Sequence, residues 1–168
     1  MSSEHAETFQ SSVGGLTTVH ETTAAEFTDT LAEAIEEPAI GTPLPFDGVS
    51  LDSTPVETDF SPTTLEAAQT GVTPATGAVA TYGTVTLASD SAGTELASLY
   101  PPRHVAVLAA SDIHPDLKTA YERLDEDFAE GNRTQVLATG PSATADMGTL
   151  VHGVHGPHDV HIIVLEDR

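Results

Sequence analysis

Three consecutive segments restrict the fold most. They are an apolar stretch RHVAVLAA from Arg103, a helical pattern from Pro115 to Glu130, and a second apolar stretch TQVLAT from Thr134. In the middle segment Leu117, Ala120, Tyr121, Leu124 and Phe128 recur at helical spacing, and Gly131 stands where such a helix would end. Strands joined through a helix of this length normally run parallel with a right-handed crossover, so the unit predicts a layered α/β domain. A second crossover is predicted through the region after Gly140, ending in the apolar strand Val160 to Leu165.

The rest of the chain supplies shorter pieces. Residues Met1 to Gly15 are Ser-rich and weakly patterned, which predicts a mobile tail ahead of a single α/β domain over residues 16–168. Thr23 with Glu26 forms a T-x-x-E capping signature for a helix carrying Ala24, Phe27, Leu31, Ala34 and Ile35 and stopped by Pro38. Ala39 to Phe60, with Pro43, Pro45 and Pro55, reads as loops around one or two brief strands. Ser61 and Pro62 open a short helix through Leu65, Ala67 and Ala68, with Gly71 just beyond it. Two strands of small residues follow, Thr76 to Thr81 and Thr84 to Ala88, separated by Tyr82 and Gly83. A short helix carrying Leu96 and Leu99 is then ended by Pro101 and Pro102.

Charge limits the partners. In 168 residues there are 26 Asp plus Glu against 5 Lys plus Arg, a formal net charge of -21. Nucleic acid and anionic membranes would repel such a surface. Self-repulsion on this scale destabilises a compact chain in dilute buffer, whereas a Debye length of roughly 3 Å in molar salt removes most of the cost. A high-salt cytoplasm is therefore expected, and thermal melting should shift upward from dilute to molar salt. An unchanged midpoint would refute the halophilic reading. The absence of Cys rules out disulfides and thiolate-held iron–sulfur clusters within this chain. With no basic-then-apolar leader and no apolar run near the roughly 20 residues needed to span a bilayer, a soluble, cytoplasmic protein is expected.

Chemistry is most expected at TGPSATAD. Ligands of open α/β sheets gather beyond the carboxyl ends of strands, where helix N-termini present unpaired N–H groups. Gly140 permits close backbone approach, Ser142 and Thr144 offer hydroxyls, and a helix beginning near Ala143 would aim its positive end at an anion. Equally, Ser142 could simply cap that helix while Asp146 complements its first turn. The residues alone leave both readings open.

The longer string GPSATAD, followed by LVHGVHGP and a terminal apolar strand, resembles the signature of the LUD domain family. Upstream, Tyr82-Gly83-Thr84 within AVATYGTVTLAS resembles that family's Thr-Gly-Thr turn, and LYPPRHVAVL resembles its next segment. The resemblance runs from about Pro62 to the C-terminus in unbroken order. It implies a three-layer αβα sandwich with a mainly parallel sheet, akin to the ribose-phosphate isomerase and CoA-transferase group. It also implies an accessory or regulatory role in oxidising lactate to pyruvate beside iron–sulfur partner proteins, with no cofactor in this chain. Gly83, Thr84, Gly140, Ser142, Thr144 and Asp146 would form its ligand-binding face. Two family carboxylates are replaced, since Thr81-Tyr82-Gly83-Thr84 stands for Glu-Thr-Gly-Thr and Asp146-Met147-Gly148 for Asp-Ile-Glu. The alternative is a small enzyme or binding module for a sugar phosphate or acyl-CoA, using Asp146 or His155 as base.

His152, His155, His158 and His161 fall three residues apart and raise the question of a metal site. Gly153, Gly156 and Pro157 break any helix that could present them together, so no metal is expected. His155, within HGP, is the one that matches the family pattern, either orienting a ligand or bonding within its own turn. Arg103 and His104 could form a basic contact for an anion, or a solvated strand flank.

Overall fold

The structure, a computed structural model, describes residues 2–131, 134–144, 151–152 and 155–168. The chain opens with helix α1 (Ser2–Val13), strand β1 (Thr18–Thr22), helix α2 (Phe27–Ala34) and the short strands β2 (Ala39–Gly41) and β3 (Val56–Glu57). Helix α3 (Pro62–Ala67) leads into β4 (Thr70–Pro74), β5 (Gly77–Val79), β6 (Thr84–Ala88), helix α4 (Thr94–Leu99) and β7 (Arg103–Ala109). Then come β8 (Ile113–His114), helix α5 (Leu117–Ala129), β9 (Gln135–Thr139), β10 (Ala143–Thr144), β11 (Val151–His152) and β12 (Asp159–Leu165).

Six strands form one sheet in the order β1-β12-β7-β4-β2-β3, and every pairing in it is parallel. Parallel strands covered on both faces read as nearly unbroken apolar runs, which explains VAVLAA in β7 and IIVL in β12. Alternate residues serve opposite cores. Val105, Val107, Ile163 and Leu165 pack beneath Phe27, Leu31 and Ala34 of α2. Ala106, Leu108, Val160 and Ile162 face a second sheet, ordered β8-β5-β6-β9, through its Val85 and Leu87. The result is an α/β domain whose parallel sheet is flanked by helices, as the family resemblance implied.

Local signals succeeded where the cap chemistry was explicit. Ser61 caps α3 by accepting from the Thr64 N–H, and the Thr64 hydroxyl returns to the Ser61 N–H as a capping box. Asp116 caps α5 through the Thr119 N–H. At α2, Thr23 and Glu26 do bond through their side chains at 3.4 Å, but the helix begins only at Phe27.

Three expectations are corrected. The N-terminal residues are no mobile tail: they form α1, and Phe9 is 0% exposed in the core between the sheets. That core recruits the helix because Ala75, Ala78 and Ala80 are too small to fill it alone. Next, β7 and β9 are not partners in a parallel crossover, because β9 pairs antiparallel with β6 in the second sheet. Its alternating burial marks a strand with one solvated face, which β7 lacks. Finally, no helix begins near Ala143. The backbone there is β10, paired antiparallel with β11.

Phe9→Ala should therefore cost about 3–5 kcal/mol, the range for an emptied aromatic core position. Urea titration in molar salt checks this, and a loss within the scatter of surface substitutions would show that α1 is not part of the cooperative fold.

Candidate functional site

The antiparallel register of β6 and β9 sets Thr84 opposite Thr139, and their hydroxyls lie 2.6 Å apart. Tyr82-Gly83-Thr84 and the loop opened by Gly140 thus meet at one end of the second sheet, although more than 50 residues separate Thr84 from Thr139 in sequence. Gly83 adopts φ of 61°, and a Cβ there would sit 2.8 Å from the Val13 nitrogen. Its glycine is explained by a left-handed turn under the end of α1. Thr84 points to the sheet face opposite Val85.

Beyond β9, Gly140 to Ser142 lie against His155 to Pro157. The Ser142 N–H donates to the Pro157 carbonyl at 2.7 Å, so this amide is engaged in joining the two loops. A Cβ on Gly156 would approach the Ser142 Cβ to 3.3 Å. The joined loops border a cavity of about 170 Å³ between the two sheets. Val85, Leu87, Val136 and Ala138 line it from one sheet and Val160 and Ile162 from the other, while Ser98 and Leu99 of α4 contribute a further wall. Gly140, Ser142 and His155, all singled out from sequence, line it together. Thr84 does not line it, the Thr144 backbone belongs to β10, and Asp146 lies outside the described residues.

His104, at the start of β7, is a buried polar residue of the cavity wall. It is 2% exposed, with Nε2 2.8 Å from the Thr73 hydroxyl. Burial lowers its pKa to about 4, so the ring is neutral near pH 7. Sequence reasoning considered His104 as a basic contact; burial makes it an uncharged hydrogen-bonding group instead. Thr17 was missed. Its hydroxyl is buried without a hydrogen-bond partner among the described residues and lies 3.7 Å from where a Gly140 Cβ would stand. Only the folding of the segment before β1 onto the β9 end brings it there.

The described cations are all ion-paired. Arg103 binds Asp159 through Nε at 2.6 Å, Glu36 at 2.9 Å and the Ala34 carbonyl at 3.1 Å. Alternation along β7 puts it on the α2 side of the sheet, away from the cavity that His104 lines. Lys118, Arg123 and Arg168 pair with Glu122, Asp127 and Asp167. At the carboxyl ends of β2 and β4 a cleft of about 450 Å³ is lined by Asp90, Asp112, Asp127 and Glu130 with Arg123. Burial raises the Asp112 pKa, opposed by His114 and Arg123. Such a lining repels anions.

Of the histidine series, the described side chains of His155, His158 and His161 do not converge. His161 lies on the α2 side, its Nδ1 2.9 Å from His20 Nε2 and its ring stacked on that of His20 at 5.2 Å. Burial lowers its pKa, opposed by Asp159. His155 lines the cavity on the other side, and His158 is exposed. Among the described residues no group of three potential ligands is placed to hold a metal ion, and no helix is long and apolar enough to cross a membrane.

Proteins of known name have sequences similar to this chain. "Lactate utilization protein C" of Halalkalibacterium halodurans is 36% identical over 107 residues, covering 61% of this chain and 46% of that protein. The protein of the same name from Oceanobacillus iheyensis is 32% identical over 105 residues, covering 60% and 45%. The chain thus spans less than half the length of these curated relatives. A crystal structure of a DUF162 family protein from Deinococcus radiodurans superposes with a TM-score of 0.75 over 99% of both chains at 20% identity, a likeness of fold. The LUD domain family model matches residues 6–165, from within α1 to the end of β12, and on that match the chain belongs to the LUD domain family.

Proposed function

We propose that this protein serves lactate utilisation in the cytoplasm as an accessory or regulatory subunit, working beside iron–sulfur partner proteins. The relatives named for lactate utilisation support the pathway. The lack of cysteine supports the division of labour, because a thiolate-held cluster would have to sit in a partner. The observation that carries the reading is the Thr84–Thr139 register, which gathers the two family-like segments at one end of the second sheet. Gly83 and Thr84, both buried, underlie this end, Ser142 lies in its loop, and Asp146 extends that loop in sequence; a partner would dock there.

Co-purification from the host at native salt tests the proposal. Recovery of iron–sulfur proteins with the chain is expected, and recovery should fall when Ser142, at the loop, is replaced by a bulky residue such as Trp. A chain that elutes alone at native salt would overturn the proposal.

A further inference from the structure

We infer that the cavity between the two sheets binds a small, uncharged, predominantly apolar molecule carrying one hydroxyl or carbonyl group. The inference goes beyond the subunit role, since it concerns the chain alone and stands or falls separately from partner recovery.

Size comes first. At about 170 Å³ the cavity is comparable to an engineered apolar cavity of roughly 150 Å³ that takes up benzene, so one small molecule fits and a nucleotide or coenzyme does not. Its walls are the branched side chains of both sheets, with Val85, Val136, Val160 and Ile162 at the centre. Such surfaces favour an apolar body.

Charge excludes the alternatives. No Lys, Arg, Asp or Glu appears among the described lining residues, and His104 is neutral near pH 7. An anion would lose its hydration without meeting an Arg or Lys among the described lining residues, and a cation would meet no carboxylate there. Besides Ser98, whose hydroxyl donates to the Glu95 carbonyl, and His155 in the joined loops, polarity is supplied at two points. The His104 ring, held through Nε2 by Thr73, can form one further hydrogen bond through its other nitrogen, and Ser142 brings a hydroxyl to the mouth. A neutral imidazole serves a hydroxyl or a carbonyl according to its tautomer.

Methyl NMR of the full chain in molar salt tests the inference, with cyclohexanol as the neutral probe and benzoate and inorganic phosphate as charged ones. Cyclohexanol should shift the methyl signals of Val85, Val136 and Ile162 saturably, and neither anion should do so. Ala138→Leu, which fills the cavity from β9, should weaken the response at least about tenfold, with the Leu31 and Val72 methyls of the opposite core unmoved. Absence of saturable shifts in the wild-type chain overturns the inference, whether or not the variant folds. So does binding of benzoate or phosphate as tight as that of cyclohexanol, or a response to cyclohexanol that survives in a folded Ala138→Leu protein.

Discussion

Gly71→Ala is expected to destabilise the protein by at least about 3 kcal/mol, at the severe end for a single added methyl group. Gly71 lies in β4, in the middle of the parallel sheet, with α4 seated directly upon it. A Cβ there would stand 1.7 Å from the Ala97 carbonyl oxygen and 3.2 Å from a Pro101 ring carbon. The obstacle is helix backbone, not the end of a flexible side chain. Ala97 is fully buried, and its own N–H is bonded to the Gly93 carbonyl, so relief requires lifting the helix as a whole. Gly15→Ala is the matching control. A Cβ there meets nothing within 4 Å, and its effect should stay within about 0.5 kcal/mol. Urea unfolding of both variants in molar salt decides the point, and equal stabilities would rule out the close helix–sheet contact. Because Ser98 and Leu99 of α4 line the cavity, a Gly71→Ala chain that still folds should also lose its response to cyclohexanol.

The second large effect is a dependence on pH set by His104. Its pKa is about 4 in the folded protein and 6.5 in an unstructured chain. Between these values the unfolded chain binds a proton that the folded one does not, so stability falls as pH drops through the window. The full contribution is about 3 kcal/mol, of which about 2 kcal/mol should be lost between about pH 7 and pH 5. His161, whose pKa is also lowered, acts in the same direction. In His104→Gln the loss over that interval should shrink to what the remaining groups contribute. A slope unchanged by this substitution would mean that His104 charges without cost. Thr73→Val should lower stability at every pH by about 1–3 kcal/mol, because it leaves a buried imidazole nitrogen unpaired.

These effects show why some of the architecture was legible before any coordinates and some was not. The runs RHVAVLAA and VHIIVL are apolar on both faces, which only a strand covered on both sides requires, and both lie at the centre of the parallel sheet. By contrast TGVTP, which pairs between them and β2, was not foreseen as a strand. Gly and Pro weaken every local strand signal there, and Gly71 is present for contact with α4, not for strand formation. In α4 the large apolar residues Leu96 and Leu99, by which the helix was recognised, are 55% and 37% exposed while Ala97 is buried. Hydrophobicity favours the larger side chain, but the close approach at Gly71 leaves room only for the smaller.

At the site the division is similar. Sequence alone determined the family, through GPSATAD and HGP, and pointed to Gly140, Ser142 and His155 as neighbours in function. Those strings are local and keep their order whatever the chain does between them. Tertiary structure alone decided what the loop faces. A strand was placed where a helix N-terminus had been expected, the Ser142 amide was engaged by Pro157, and His104 was sealed between two sheets. The physical reason is that a strand's spacing reveals its own faces but not its partner. Once β9 pairs with β6 in the second sheet and not with the parallel strands, the loop after it opens onto an apolar, uncharged cavity in place of a helix dipole.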